Sequence, residues 1–282
     1  MLKLAIALVS LFTLSAAAQV IPKTVHFMSD DGKTRLTGYL WMPEGRGPHP
    51  AVVMMHGRHG AYSSLAHGVY DAHTLTKRHK MWGEFWAERG YVALHVDGFG
   101  PRGYPAGFAK GTYSDRPEEL NEVTIRPFDA YGALRFLRTR SDVAGDRIGL
   151  QGWSNGASAT LSSMARNTPG MKDPTPETGF RAAIAFYPGC GLQDHYKKAY
   201  RTYAPVFLAI GTDDEEVSPQ ICQALNETGK RDGDRIEFVL YTGAEHDFDD
   251  PGSKKQSVQA NRKAKEDSMR RAEAFFARYL KP

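Results

Sequence analysis

The chain has 282 residues and a hydrophobic content of 41%, which is ample for one large α/β domain with a buried core. Its 36 basic and 32 acidic residues are scattered and leave a formal charge of +4, so nothing in the charge pattern calls for a nucleic-acid partner. The basic surplus near the end, within 253–278, is interleaved with Glu266, Asp267 and Glu273 and reads as the solvated face of a helix.

In chain order, Met1-Leu2-Lys3, the apolar run 4–14 and Ser15-Ala16-Ala17-Ala18-Gln19 form a charged start, an apolar middle and an A-x-A cleavage site. Residues 1–18 are therefore expected to be a signal peptide, and 19–282 a single mature domain in the periplasm or outside the cell. The apolar run is shorter than the roughly 20 residues a span needs, so no stable membrane association is expected after cleavage. Strands are predicted at 24–28, 35–42, 51–55, 91–96, 147–151, 182–187, 206–210 and 236–241, from β-branched and aromatic enrichment. Helices are predicted at 81–88, 118–140, 155–166, 219–228 and from about 257 to 280. In the last of these Met269, Ala272, Phe276 and Tyr279 or Leu280 recur at helical spacing and predict a face against the sheet.

The first two strands are joined by 29–33, whose Asp31-Gly32 pair marks a hairpin. From residue 51 onward strands and helices alternate, which predicts an eight-stranded, mostly parallel sheet with helices on both faces. In such a sheet ligands sit at the carboxyl ends of the strands. The Gly/Pro-rich loops 98–117 and 167–179 are candidates for the rim of a site.

The strongest motif is Gly152-Trp153-Ser154-Asn155-Gly156, set directly between a predicted strand and a predicted helix. Glycines two residues either side of a serine suit a sharp strand-to-helix turn that lifts the hydroxyl above the sheet, where the helix N-terminus presents unpaired N–H groups. A serine hydroxyl needs a base within hydrogen-bonding reach. His246 follows the last predicted strand, in Gly243-Ala244-Glu245-His246-Asp247-Phe248, and fits the chain order serine, acid, histidine; His195 precedes the acid-bearing loop and reads as a surface residue. The orienting acid should come from Gly211-Thr212-Asp213-Asp214-Glu215-Glu216, whose four adjacent carboxylates leave the choice open.

Oxyanion donors are expected from the backbone N–H of Asn155 and, in Met55-His56-Gly57-Arg58-His59-Gly60, of Arg58. Trp153 and Phe99, with Tyr104, Phe108 and Tyr113, suggest an aromatic-lined substrate pocket. No metal and no organic cofactor is expected: His56, His59, His67, His73 and His79 have no Asp, Glu or Cys at a recognisable ligand spacing. Cys190 and Cys222 lie in loops expected at one end of the sheet, and either form one disulfide or remain two buried thiols.

Taken together, His56-Gly57, Asp97-Gly98-Phe99-Gly100-Pro101-Arg102-Gly103, Asp129-Ala130, Gly145-Asp146-Arg147-Ile148, the Ser154 elbow, Tyr187-Pro188-Gly189-Cys190 and the His246 segment make the chain, from about residue 21 to the end, resemble the dienelactone hydrolase family. That resemblance implies the α/β-hydrolase fold and a small-molecule ester substrate. The best-known members carry a cysteine nucleophile where this chain has Ser154, so the implied activity is ester hydrolysis by a serine triad, with lactones as a further substrate class. The family's acid loop looks like Gly-x-x-Asp with a Pro-led helix soon after; Gly211, Asp214 and Pro219 fit, whereas Asp213 falls one residue short. Gly211-Thr212 also turns the chain before a carboxylate can point back, which favours Asp214. Two other readings are a peptidase on the same fold and a catalytically silent binding protein. Nothing in the sequence specifies an oligomeric state.

Overall fold

The computed structural model describes residues 20–196 and 200–281; the expected signal peptide lies outside the described residues. Eight strands form one sheet: β1 (Lys23–Met28), β2 (Arg35–Trp41), β3 (His49–Met55), β4 (Val92–Asp97), β5 (Val143–Trp153), β6 (Ala182–Phe186), β7 (Val206–Gly211) and β8 (Ile236–Tyr241). Their spatial order is β1-β2-β4-β3-β5-β6-β7-β8. The β1–β2 hairpin pairs Lys23 with Leu40 through Met28 with Arg35, and β2 runs antiparallel to β4. From β4 to β8 every neighbouring pair is parallel. Strands β4, β6 and β7 are buried along their whole length, and β6 and β7 accordingly read as continuous apolar runs, whereas β4 also buries His95 and Asp97.

Helices α1 (Lys77–Glu88), α2 (Arg126–Arg138), α3 (Asn155–Met164), α4 (Pro219–Arg231), α5 (Ser253–Gln256) and α6 (Gln259–Leu280) follow in order. On one face α1 and α6 meet through Trp86 and Phe276, whose rings lie 5.2 Å apart. On the other, α2 packs on α3. The apolar face of α6 is formed by Ala264, Ala272, Phe275, Phe276 and Leu280, the spacing expected from sequence.

Two expectations need correcting. The helix expected over 118–140 starts only at Arg126, because Asn121 Oδ1 accepts from the Val123 and Thr124 N–H groups and holds the chain in a turn, while Pro127 tolerates only a helix's first turn. The loop 167–179 does not rim the site. It leaves the far end of α3 and is held by Arg138, which donates to the carbonyls of Glu177, Thr178 and Gly179 at the edge where β5 begins.

Candidate active site

Ser154 sits between β5 and α3 with φ 52° and ψ −119°, a conformation that costs a non-glycine residue on the order of 1–3 kcal/mol. Steric crowding explains the flanking glycines. A Cβ on Gly152 would collide with the Gly156 carbonyl, and one on Gly156 with the carbonyls of Met55 and His56. Gly57, on the loop after β3, lies where a Cβ would stand 3.3 Å from the Ser154 Cβ.

Ser154 Oγ is 2.9 Å from His246 Nε2, and His246 Nδ1 is 2.8 Å and 3.0 Å from the two carboxylate oxygens of Asp214. Asp214 as carboxylate can only accept, so Nδ1 carries the proton and Nε2 is left to accept from the serine hydroxyl. The Asp214 side chain is fully buried. Gly211 makes this meeting geometric: a Cβ there would strike the Ala244 carbonyl, and Asp213 N–H donates to the same carbonyl at 3.0 Å, so the loops after β7 and β8 are pressed together. Asp213 itself is exposed and accepts from Thr212 Oγ1 at 2.7 Å. His195 is exposed and is not among the residues lining the cavities at Ser154.

Burial, the largest influence on His246, would lower its pKa, but the Asp214 hydrogen bond and the charges of Asp247, Asp214 and Glu216 outweigh it and leave the imidazole raised. Behind it, burial would raise the Asp247 carboxyl, yet Arg78 and His246 hold it well below the usual range. Arg78 Nη1 and Nη2 reach Asp247 and Asp250 at 2.9 Å and 3.1 Å, and Asp249 accepts from the indoles of Trp82 and Trp153 and from the Tyr187 hydroxyl. Together these contacts fix the loop that carries His246.

Two cavities, about 480 and 380 Å³, meet at Ser154. Arg58 and Asn155 line the first together with Tyr113, Arg116, Glu122 and Glu216. The second is walled by His59, Ser63, Ser64, Thr76, Arg78 and Asp247, among others. The Arg58 guanidinium makes a two-pronged contact with Glu216, at 2.9 Å and 2.6 Å, so its side chain braces the acid loop while its backbone belongs to the loop after β3. The loop 98–117 does rim the site, through Lys110, Gly111, Tyr113 and Arg116.

Trp153 and Phe99 do not bind substrate from these positions. Both are fully buried: Trp153 points under the sheet to Asp249, and Phe99 packs edge-on against His56 at 4.5 Å and against Phe108 at 5.6 Å. Of the five aromatics expected around the pocket, Tyr113 lines the larger of the two cavities, and Trp153, Phe99, Tyr104 and Phe108 line neither. Cys190 and Cys222 are joined in a disulfide, with Cα atoms 5.1 Å apart. Sequence reasoning missed Glu122, Arg126 and Glu216 as neighbours of the site. Glu122 and Arg126 fall within what looked like one long helix, and Glu216 is one of four adjacent acids.

An eight-stranded α/β sheet with a strained serine elbow, and a histidine and buried aspartate in hydrogen-bonding line with it, defines a serine hydrolase of the α/β-hydrolase type. Residues 36–280 match the model of the dienelactone hydrolase family. The chain belongs to that family. It is 23% identical, over 77% of its length and 80% of the relative's, to a Bradyrhizobium protein named "probable 2-oxo-3-(5-oxofuran-2-ylidene)propanoate lactonase". Among solved structures it is similar to esterase 2 of Thermogutta terrifontis phosphorylated by paraoxon, at TM-score 0.67 and 19% identity, covering 94% of this chain and 97% of that one. It is also similar to a dienelactone hydrolase-like promiscuous phosphotriesterase from metagenomic libraries, at TM-score 0.66 and 19% identity, covering 92% and 98%.

Proposed function

We propose that this ester hydrolase works through an acyl-enzyme on Ser154. The observation that carries the reading is the unbroken line Asp214, His246 Nδ1, His246 Nε2, Ser154 Oγ at an elbow. The Ser154 oxygen attacks the ester carbonyl as its proton passes to His246 Nε2; Asp214 holds the imidazolium, and the oxyanion faces the N–H groups of Asn155 and Arg58. The imidazolium proton then goes to the departing alcohol. Water, deprotonated by the same nitrogen, cleaves the acyl ester and frees the acid.

The two cavities meeting at Ser154 offer room for the two halves of a small ester or an opened lactone. Asn155 is the first residue of α3, where an N–H has no partner within the helix, which supports its role as donor. Export of the mature chain is part of the proposal; the leader-like residues 1–18 and the disulfide support it.

A fluorophosphonate probe and a panel of p-nitrophenyl esters test the reading. The folded wild-type chain should label at Ser154 and turn over short-chain esters, and Ser154→Ala should do neither. A wild-type chain that fails to label and fails to turn over any ester sinks the enzyme reading in favour of a binding protein, and preference for peptide over ester substrates would favour a peptidase.

A further inference from the structure

The most costly group near Ser154 is one the reaction above does not use. Arg126, on the first turn of α2, is fully buried. Its Nη1 donates to the His56 carbonyl at 2.9 Å and to Asn155 Oδ1 at 2.5 Å, while Nε and Nη2 find no partner among the described residues. Asp129, the nearest carboxylate on its own helix, is already held by both Nη atoms of Arg102 at 2.8 Å. The guanidinium rests 5.0 Å from the Phe99 ring centroid. Burying an arginine with idle donors is expensive, and an unbranched apolar side chain would fill the same space without that cost.

What Arg126 touches explains its presence. The His56 carbonyl belongs to the planar peptide whose other edge carries the Gly57 N–H, so a bond to that carbonyl sets the tilt of the chain just before Arg58. Asn155 is the other expected oxyanion donor, and its side chain is fixed on the far side by Nδ2 donating to Glu122 Oε2 at 2.8 Å. One nitrogen thus reaches both backbone segments between which the oxyanion forms.

We propose that Arg126 is a positioning residue of the oxyanion hole, clamping the loop after β3 and the N-terminus of α3 at the spacing the tetrahedral intermediate requires. This rests on Ser154 being the nucleophile. Burial, the foremost influence, brings the guanidinium pKa down to about 10 against the pull of Asp129 and Glu122, so it remains a cation at neutral pH and adds positive potential behind the forming oxyanion.

The test compares wild type with Arg126→Met, Arg126→Lys and Asn155→Ala, the last of which keeps the Asn155 N–H and removes only the clamped side chain. Turnover is expressed per site titrated by the fluorophosphonate. Arg126→Met should lower kcat by about 100-fold with KM nearly unchanged, the scale of losing one oxyanion donor. The affinity of an aryl trifluoromethyl ketone, which forms a tetrahedral adduct on the serine, should fall by the same factor. Arg126→Lys should recover about tenfold, and Asn155→Ala should lose about tenfold. A merely structural role would lower the titrated fraction and the melting temperature while leaving kcat per site and ketone affinity intact; that result overturns the proposal. If Arg126→Met does not fold, unchanged kcat and ketone affinity in both other variants overturn it equally. A wild-type chain that neither labels nor turns over esters removes the ester-hydrolase reading itself, and this one with it.

Discussion

Replacing both cysteines of the Cys190–Cys222 bridge by alanine should lower stability without disturbing chemistry. The bridge joins the loop after β6 to the first turns of α4, closing a loop of 32 residues. In the chain-entropy view, releasing a loop of that size returns about 12 cal/mol/K to the unfolded chain, or about 4 kcal/mol at 25 °C. In a domain of this size a loss of 1 kcal/mol moves the melting temperature by about 2–4 °C, so the double variant should melt roughly 8–16 °C lower. Gly189 and Gly191, either side of Cys190, line the larger cavity. If the folded loop is held by its own packing, kcat/KM for a short ester at 25 °C should stay within about twofold, since the entropic effect acts on the unfolded chain alone. Thermal melts followed by circular dichroism, with kcat/KM measured on the same samples, check both halves. A melting temperature within 2 °C of wild type would refute the stability argument; a large fall in kcat/KM would show that the bridge shapes the folded cavity as well.

Three further outcomes are expected. Asp214→Asn should lower kcat by about three to four orders of magnitude, and Asp213→Asn by no more than a few-fold; the reverse ranking would move the orienting role to Asp213. Because His246 must be neutral to accept the serine proton and its pKa is raised above the ordinary 6.5, the acid limb of kcat/KM should lie above that value, and Glu216→Gln should shift it toward lower pH; a limb that does not move contradicts the part assigned to the Glu216 charge. His79 is held down to about 3, with burial the foremost cause, so the folded protein keeps it neutral while the unfolded chain takes up a proton below 6.5. Stability should accordingly fall as the pH drops from 6.5 toward 3, by about 2 kcal/mol at pH 5 from this group, and a His79→Asn variant with an unchanged slope in urea titrations would show otherwise.

Much of this was legible in the sequence because the determining features are local. The elbow needs small residues at 152 and 156, and the acid loop and His246 each follow a strand that is recognisable by composition. Trp153 and Phe99 misled for an equally local reason. A residue next to a nucleophile in sequence projects to the opposite side of the strand end, so the indole beside Ser154 lands in the core on Asp249. What stayed hidden are contacts between segments with no local signature. Arg126 meets His56 and Asn155 across 70 and 29 residues, and Arg58 meets Glu216 across 158. A charged residue in a helical stretch reads as surface by default, and only the packed fold shows that the first turn of α2 points it inward.

The same distinction bears on how the site keeps its geometry. None of Gly57, Gly156 and Gly211 has a positive φ, yet each lies where a Cβ would press on another segment: the nucleophile, the end of β3, and the loop carrying His246. Their requirement is therefore for space, and it falls at the three joints where separate strand ends must touch for Ser154, His246 and Asp214 to align. Substituting alanine at Gly57 is the mildest case, because its nearest contact would be 3.3 Å, a distance a small shift of the loop can relieve, whereas at Gly156 and Gly211 the obstacle is backbone carbonyl that cannot rotate away. Distance between strand ends sets the reach of the triad, which makes these positions part of the catalytic geometry although none carries a functional group.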